Sequence, residues 1–71
     1  MSDYHINVFF SDEDGGYIAD IPDLASCSAF SSTPQEALAS VIVAKEAWLE
    51  AAAAAGRDAP EPRYRPVLDR S

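Results

Sequence analysis

Thr33-Pro34-Gln35-Glu36-Ala37-Leu38 is the stretch that decides the fold. A threonine followed three residues later by glutamate is a capping box: the Thr33 hydroxyl accepts from the Glu36 amide, and the Glu36 carboxylate reaches back to the Thr33 amide. Pro34 falls at the first helical position, where its missing N–H costs nothing. Beyond the cap, Ala37, Leu38, Val41, Ile42, Lys45, Trp48, Leu49 and Ala52 recur at three-to-four spacing. That stripe predicts an amphipathic helix laid on one face of a sheet, with the Lys45 ammonium snorkelling at its margin. Ala51 to Ala55 extend the helix by propensity, and Gly56 is a ready C-cap.

Working back towards the N-terminus, Tyr4-His5-Ile6-Asn7-Val8-Phe9-Phe10 alternates with period two, the mark of a half-buried strand. Tyr4, Ile6, Val8 and Phe10 share one face, and His5, Asn7 and Phe9 the other. Ser11-Asp12-Glu13-Asp14-Gly15-Gly16 is a polar turn ending in two glycines. Tyr17-Ile18-Ala19-Asp20-Ile21 reads as a second strand, joined to the first as an antiparallel hairpin and stopped by Pro22-Asp23. Between Leu24 and Phe30, Cys27, Ala29 and Phe30 suggest a short third strand.

Working forward, Pro60, Pro62 and Pro66 forbid a second long helix after Gly56. Tyr64 to Leu68 has room for a short edge strand, and the rest of the tail is expected to be extended. The fold class is therefore α+β: a two-layer β-β-β-α domain over residues 1–56, with an antiparallel sheet and one long helix. Residues 57–71 form a tail containing prolines and arginines.

With 71 residues there is one domain, and a core this small supplies only about 3–5 kcal/mol unaided. One cysteine (Cys27) and one histidine (His5) permit neither a disulfide nor a tetrahedral zinc site. Self-association is the remaining route to stability, so a homo-oligomer is expected. The residues after Met1 show no basic region leading into an apolar run, and no apolar stretch is long enough to span a bilayer. A cytoplasmic location is expected.

Net charge is −7, unevenly spread. Residues 1–56 hold nine carboxylates against Lys45 alone, whereas the tail has four arginines against three carboxylates. Nucleic-acid binding requires the opposite sign on the body, and direct binding of DNA or RNA is not expected. A basic protein is the complementary partner.

Few residues group in a way that suggests catalysis. Asp12-Glu13-Asp14 lacks the ligand spacing of a calcium loop and reads as a solvated turn. Asp20 with Asp23 is the pair a metal-dependent nuclease would use, yet no further carboxylate is positioned to join them. His5 with Cys27 or a nearby serine lacks a nucleophile elbow. The chain reads as a non-enzyme without a cofactor or metal. Phe9 and Ile18 are different in kind, because both fall on the sheet face that the helix does not cover. An aromatic and an aliphatic side chain left there mark an oligomer or partner interface.

Gly16-Tyr17-Ile18-Ala19-Asp20-Ile21-Pro22-Asp23-Leu24, then Cys27, Thr33-Pro34-Gln35-Glu36-Ala37-Leu38, Trp48-Leu49, Gly56 and Pro60-Glu61-Pro62 together resemble the HicB-like antitoxin superfamily. The resemblance runs from Tyr4 to about Pro62. It departs where Ser26, Ser31 and Ser32 stand in place of glycine or Gly-Asp. The fifteen residues after Gly56 are also too few for the C-terminal DNA-binding domain of full-length members. The likeness is thus to short stand-alone members.

The resemblance implies a partial RNase H fold without nuclease activity, a homo-oligomer, and neutralisation of a small basic mRNA-cleaving toxin of the HicA type. Asp20, Asp23, Cys27, Ser28 and Phe30 are the expected partner contacts, with Phe9 and Ile18 at the oligomer interface. Two alternatives are a residual magnesium-dependent RNase H-like nuclease and an orphan oligomer that binds ligands through Arg63-Tyr64-Arg65.

Overall fold

The computed structural model describes residues 3–64. Strand β1 (Asn7–Ser11) pairs antiparallel with β2 (Gly16–Asp20), which pairs antiparallel with β3 (Ser28–Ser31). Helix α1 (Pro34–Ala54) follows, giving the expected α+β β-β-β-α order with β2 central. β1 starts three residues later than the alternation suggests. Tyr4 and Ile6 nevertheless pack against the core just ahead of it.

The register settles which side chains share a face. Val8 lies opposite Ala19 and Phe10 opposite Tyr17, so these four point towards α1. Ala29 continues the Val8 and Ala19 row into β3. Against this face the helix places Ala37 and Val41, both fully buried. Alanines at 19, 29 and 37 let helix and sheet approach closely.

The connection from β2 to β3 is built on a period of three. Ile21, Leu24 and Cys27 are all buried. Leu24 N–H donates to the Ile21 carbonyl at 3.1 Å, Cys27 N–H to Leu24 at 3.2 Å, and Ile21 N–H to Cys27 at 3.0 Å. Two successive turns thereby satisfy their own backbone while dropping every third side chain into the core. Ser26 closes the second turn at φ +60°, a conformation L-residues seldom adopt. Trp48 ties the helix to this loop by donating its Nε1–H to the Ala25 carbonyl at 2.9 Å.

The helix ends are capped as the sequence suggests, with one difference. The Thr33 hydroxyl accepts from Glu36 N–H at 3.2 Å. The Glu36 carboxylate, however, turns to the hydroxyls of Ser31 and Ser32 at 3.0 and 3.4 Å instead of the Thr33 amide. Two hydroxyls close to the carboxylate outcompete the reach back to one amide. At the other end Gly56 takes φ +76°, with Arg57 N–H donating to Ala52 and Gly56 N–H to Ala53. This is a Schellman closure.

The apolar stripe of α1 divides unevenly. Ala37, Val41 and Ala52 are buried and Trp48 and Leu49 half-buried, but Leu38 and Ile42 stay exposed. The cause is placement: α1 lies chiefly over β2 and β3 and reaches β1 least.

Candidate functional site: the open face of the sheet

Side chains pointing away from α1 form a second surface. Phe9 stands opposite Ile18, and Ile18 opposite Phe30, so the three make one row across all three strands. Phe9 is 48% and Phe30 53% exposed. The neighbouring row is polar: Asn7 opposite Asp20, and Asp20 opposite Ser28. Asp14, in the β1–β2 turn, lines a shallow depression with Ile18, Ser28 and Phe30. Lys45, the one lysine or arginine before Arg57 in the sequence, is on α1 and paired with Asp3 at 3.3 Å. The open face is thus apolar and aromatic, flanked by carboxylates, with the body's cation on the other side of the sheet.

Gly16 explains how Phe30 sits. A Cβ built on Gly16 would lie 2.6 Å from Phe30 Cζ and 2.8 Å from the Ser31 carbonyl oxygen. The ring therefore lies diagonally across the glycine, an aromatic cover over a bare stretch of strand. In the sequence Gly16 reads as the second glycine of the turn, whereas it is the first residue of β2, where a glycine allows close approach of a neighbouring group. Gly15 plays a separate part, holding φ +71° to close the turn where its N–H donates to the Ser11 carbonyl at 2.9 Å.

The site residues expected from the sequence are distributed over three places. Phe9, Ile18, Phe30, Asp20 and Ser28 come together on the open face, so the expected oligomer and partner residues form one surface. Cys27 sits in the core instead, where burial pushes its thiol pKa up. Asp23 turns elsewhere, and its carboxylate accepts the backbone N–H groups of Arg63 and Tyr64, each at 3.2 Å. Asp20 and Asp23 are therefore not a convergent pair.

Those two bonds belong to a latch that draws the tail back onto the domain. The Tyr4 hydroxyl donates to the Pro60 carbonyl, and the His5 and Tyr64 rings lie 5.0 Å apart. The expected edge strand from Tyr64 to Leu68, and Arg65 with it, lie outside the described residues except for Tyr64. Among the described residues no three His, Cys, Asp or Glu side chains converge as metal ligands, and no helix is long and apolar enough to cross a membrane.

Burial of Cys27 has a direct consequence. The thiolate is the reactive form, and both its raised pKa and its enclosure suppress it. Modification by an aromatic disulfide reagent at neutral pH is expected to be on the order of 100-fold slower in the native protein than in denaturant. Equal rates would place Cys27 at the surface.

A three-stranded antiparallel sheet with one helix on one face and an exposed apolar row on the other defines the class: a small α+β sheet-and-helix domain. In sequence, the chain is 38% identical over 45 residues to UPF0150 protein ssl0259 of Synechocystis sp.. The match covers 63% of this chain and 62% of that relative's length, a distant likeness. No protein-family model matches the chain. No solved structure matches it.

Proposed function

We propose that this protein is a non-catalytic binding module that grips a basic protein on the open face of its sheet, acting as a HicB-type antitoxin on a small HicA-like ribonuclease. The observation that carries the reading is the Phe9–Ile18–Phe30 row with Asp20 beside it and Asp14 at its margin. Exposed aromatics supply desolvated contact area, and the rings accept arginine or lysine over their faces. The carboxylates favour a basic partner and repel an acidic one. Masking the toxin's surface requires binding alone, so no catalytic group is needed on this chain. Coarse similarity to a UPF0150 protein and the HicB-like motifs are compatible with that role.

The test is calorimetric titration of the full chain with a purified HicA-type ribonuclease encoded by the same genome, alongside an RNA-cleavage assay. Stoichiometric binding that stops cleavage and weakens as salt rises is the expected result. Asp20→Lys should lower affinity at least about tenfold, because reversal turns an attraction into a repulsion within one contact. Phe30→Ala should cost a similar factor through lost contact area. If both variants bind like the parent, the open face is not the interface. If cleavage continues at saturation, the antitoxin reading fails.

A further inference from the structure

At the turn end of the open face, the β1–β2 register brings Ser11 opposite Gly16. Both belong to the side of the sheet that α1 leaves bare, since Ser11 is the second residue after Phe9 and Gly16 the second before Ile18. Gly16 has no side chain to fill its position, and the Phe30 ring leans across it, its Cζ 2.6 Å from where a Cβ would stand. Ser11 carries a hydroxyl there that donates to Asp14 Oδ2 at 3.0 Å, while Asp14 N–H donates back to Ser11 Oγ at 3.3 Å.

This reciprocal pair selects one carboxylate of the acidic turn for the face. Of Asp12, Glu13 and Asp14, it is Asp14 that lines the depression with Ile18, Ser28, Ala29 and Phe30. The Phe30 tip and the Asp14 carboxylate meet at the same end, because Phe30 covers Gly16 and Asp14 is tied to the residue opposite Gly16. Among the described residues Asp14 has no cationic partner, and Lys45 is spent on Asp3 across the sheet. The depression holds about 450 Å³, within the size range of small-ligand sites, and it opens widely to solvent.

We propose that this depression is a subsite for an arginine side chain of the basic partner, its guanidinium stacked on the Phe30 ring and donating to the Asp14 carboxylate while its aliphatic stem lies over Ile18. The inference rests on the open face being where a basic protein binds, and it adds which side chain is taken and by which residues.

The chemistry favours arginine over lysine. A guanidinium is planar and weakly hydrated, so it stacks on an aromatic face at little desolvation cost and keeps its N–H groups in plane for a carboxylate beside the ring. An ammonium is a compact, strongly hydrated point charge that must shed water to touch the ring. Methylenes of the arginine stem suit the Ile18 floor. Ser11 holds the carboxylate in place before any ligand arrives, which lowers the ordering cost of binding. A site this open holds a lone arginine only at millimolar concentration, and in a protein complex it acts as one anchor among several.

The test is a nuclear magnetic resonance titration of the isotopically labelled full chain with N-acetyl-argininamide, repeated with N-acetyl-lysinamide. Saturable shifts at the amides of Asp14, Gly16, Ile18 and Phe30 are expected with argininamide, and an affinity about threefold or more lower with lysinamide. Asp14→Asn should weaken argininamide about tenfold, the factor carried by one hydrogen bond to a charged group. Glu13→Gln removes the same charge from the same turn outside the depression, and should change affinity by less than about twofold. Ser11→Ala keeps both charge and ring, and should cost about threefold because the carboxylate is no longer held. Phe30→Leu keeps apolar bulk without a π face, and should erase the preference for arginine over lysine. The same amide spectra report that each variant is folded. Equal affinity for the two amides overturns the subsite, as do an Asp14→Asn chain that binds like the parent and an absence of saturable shifts at the depression. A ribonuclease that binds the parent and Asp14→Asn equally removes the arginine subsite and leaves the binding module standing. Argininamide that seats as expected, beside a ribonuclease that does not bind, keeps the subsite and removes the antitoxin reading.

Discussion

Leu24→Ala is expected to leave most of the protein unfolded at room temperature, read as loss of the Trp48 fluorescence transition in a urea titration. Leu24 is fully buried, and it is the middle member of the Ile21, Leu24, Cys27 series that fills the core from the loop side. Truncating a buried leucine costs about 2.7–5.0 kcal/mol, the upper end applying where the surroundings cannot collapse into the space. Here they are constrained. Backbone bonds at 3.1 and 3.2 Å pin both turns, and Trp48 holds Ala25, the next residue, at 2.9 Å. A chain of this size has about 3–5 kcal/mol in hand, so a single cavity consumes nearly all of it. Val43→Ala is the matched control: Val43 is 65% exposed on the far side of α1, and its loss should move stability by less than about 0.5 kcal/mol. A Leu24→Ala protein with the parent's midpoint and slope would show that the loop is not part of the core.

The role of that loop was the least legible part of the fold. Alternation exposed β1 and β2, and the Thr33 to Glu36 cap located the start of α1 to the residue, because both signals are local and periodic. Ile21, Leu24 and Cys27 recur every third residue across two turns, a period that belongs to neither helix nor strand. Cys27 therefore read as a strand residue available to a partner, when it fills the core. Asp23 was misleading for a related reason. An acidic residue after Pro22 reads as turn punctuation or as a surface charge, but its carboxylate caps two backbone amides forty residues away in sequence. Bonds of that range leave no trace in spacing.

The open face was half legible. Parity along β1 and β2 placed Phe9 and Ile18 on the side away from the helix, and the register confirms their pairing. Phe30 needed the β2–β3 register as well, and that depends on where the Cys27 loop ends. Only with Ile18 opposite Phe30 does the third ring join the row and bring Ser28 opposite Asp20. The helix stripe erred in the other direction. Leu38 and Ile42 satisfy the period of a buried face, and they remain exposed because α1 is displaced towards β3. Periodicity reports which side of a helix is apolar, and the sheet decides how much of that side is covered.

Gly16→Ala tests whether the open face depends on its backbone as much as on its side chains. The added methyl would come within 2.8 Å of the Ser31 carbonyl oxygen, a contact with backbone that no rotamer change relieves. It would also meet the Phe30 ring at 2.6 Å. The ring must swing away and the β2–β3 pairing must shift, at an expected cost of about 1–3 kcal/mol, typical of overpacking. Two measurements separate the consequences. Urea denaturation should show the midpoint falling with the slope unchanged, which marks lost stability without a change in the denatured state. On the proposed function, titration of the surviving folded fraction with a HicA-type ribonuclease should show weaker binding than stability alone explains, because Phe30 no longer lies in line with Ile18 and Phe9. Phe30→Ala combined with Gly16→Ala should recover part of the stability, since removing the ring removes one of the two clashes, and should recover none of the binding. If Gly16→Ala is as stable as the parent, Phe30 does not rest on the strand. If the double variant binds as tightly as the parent, the ring is not part of the docking surface.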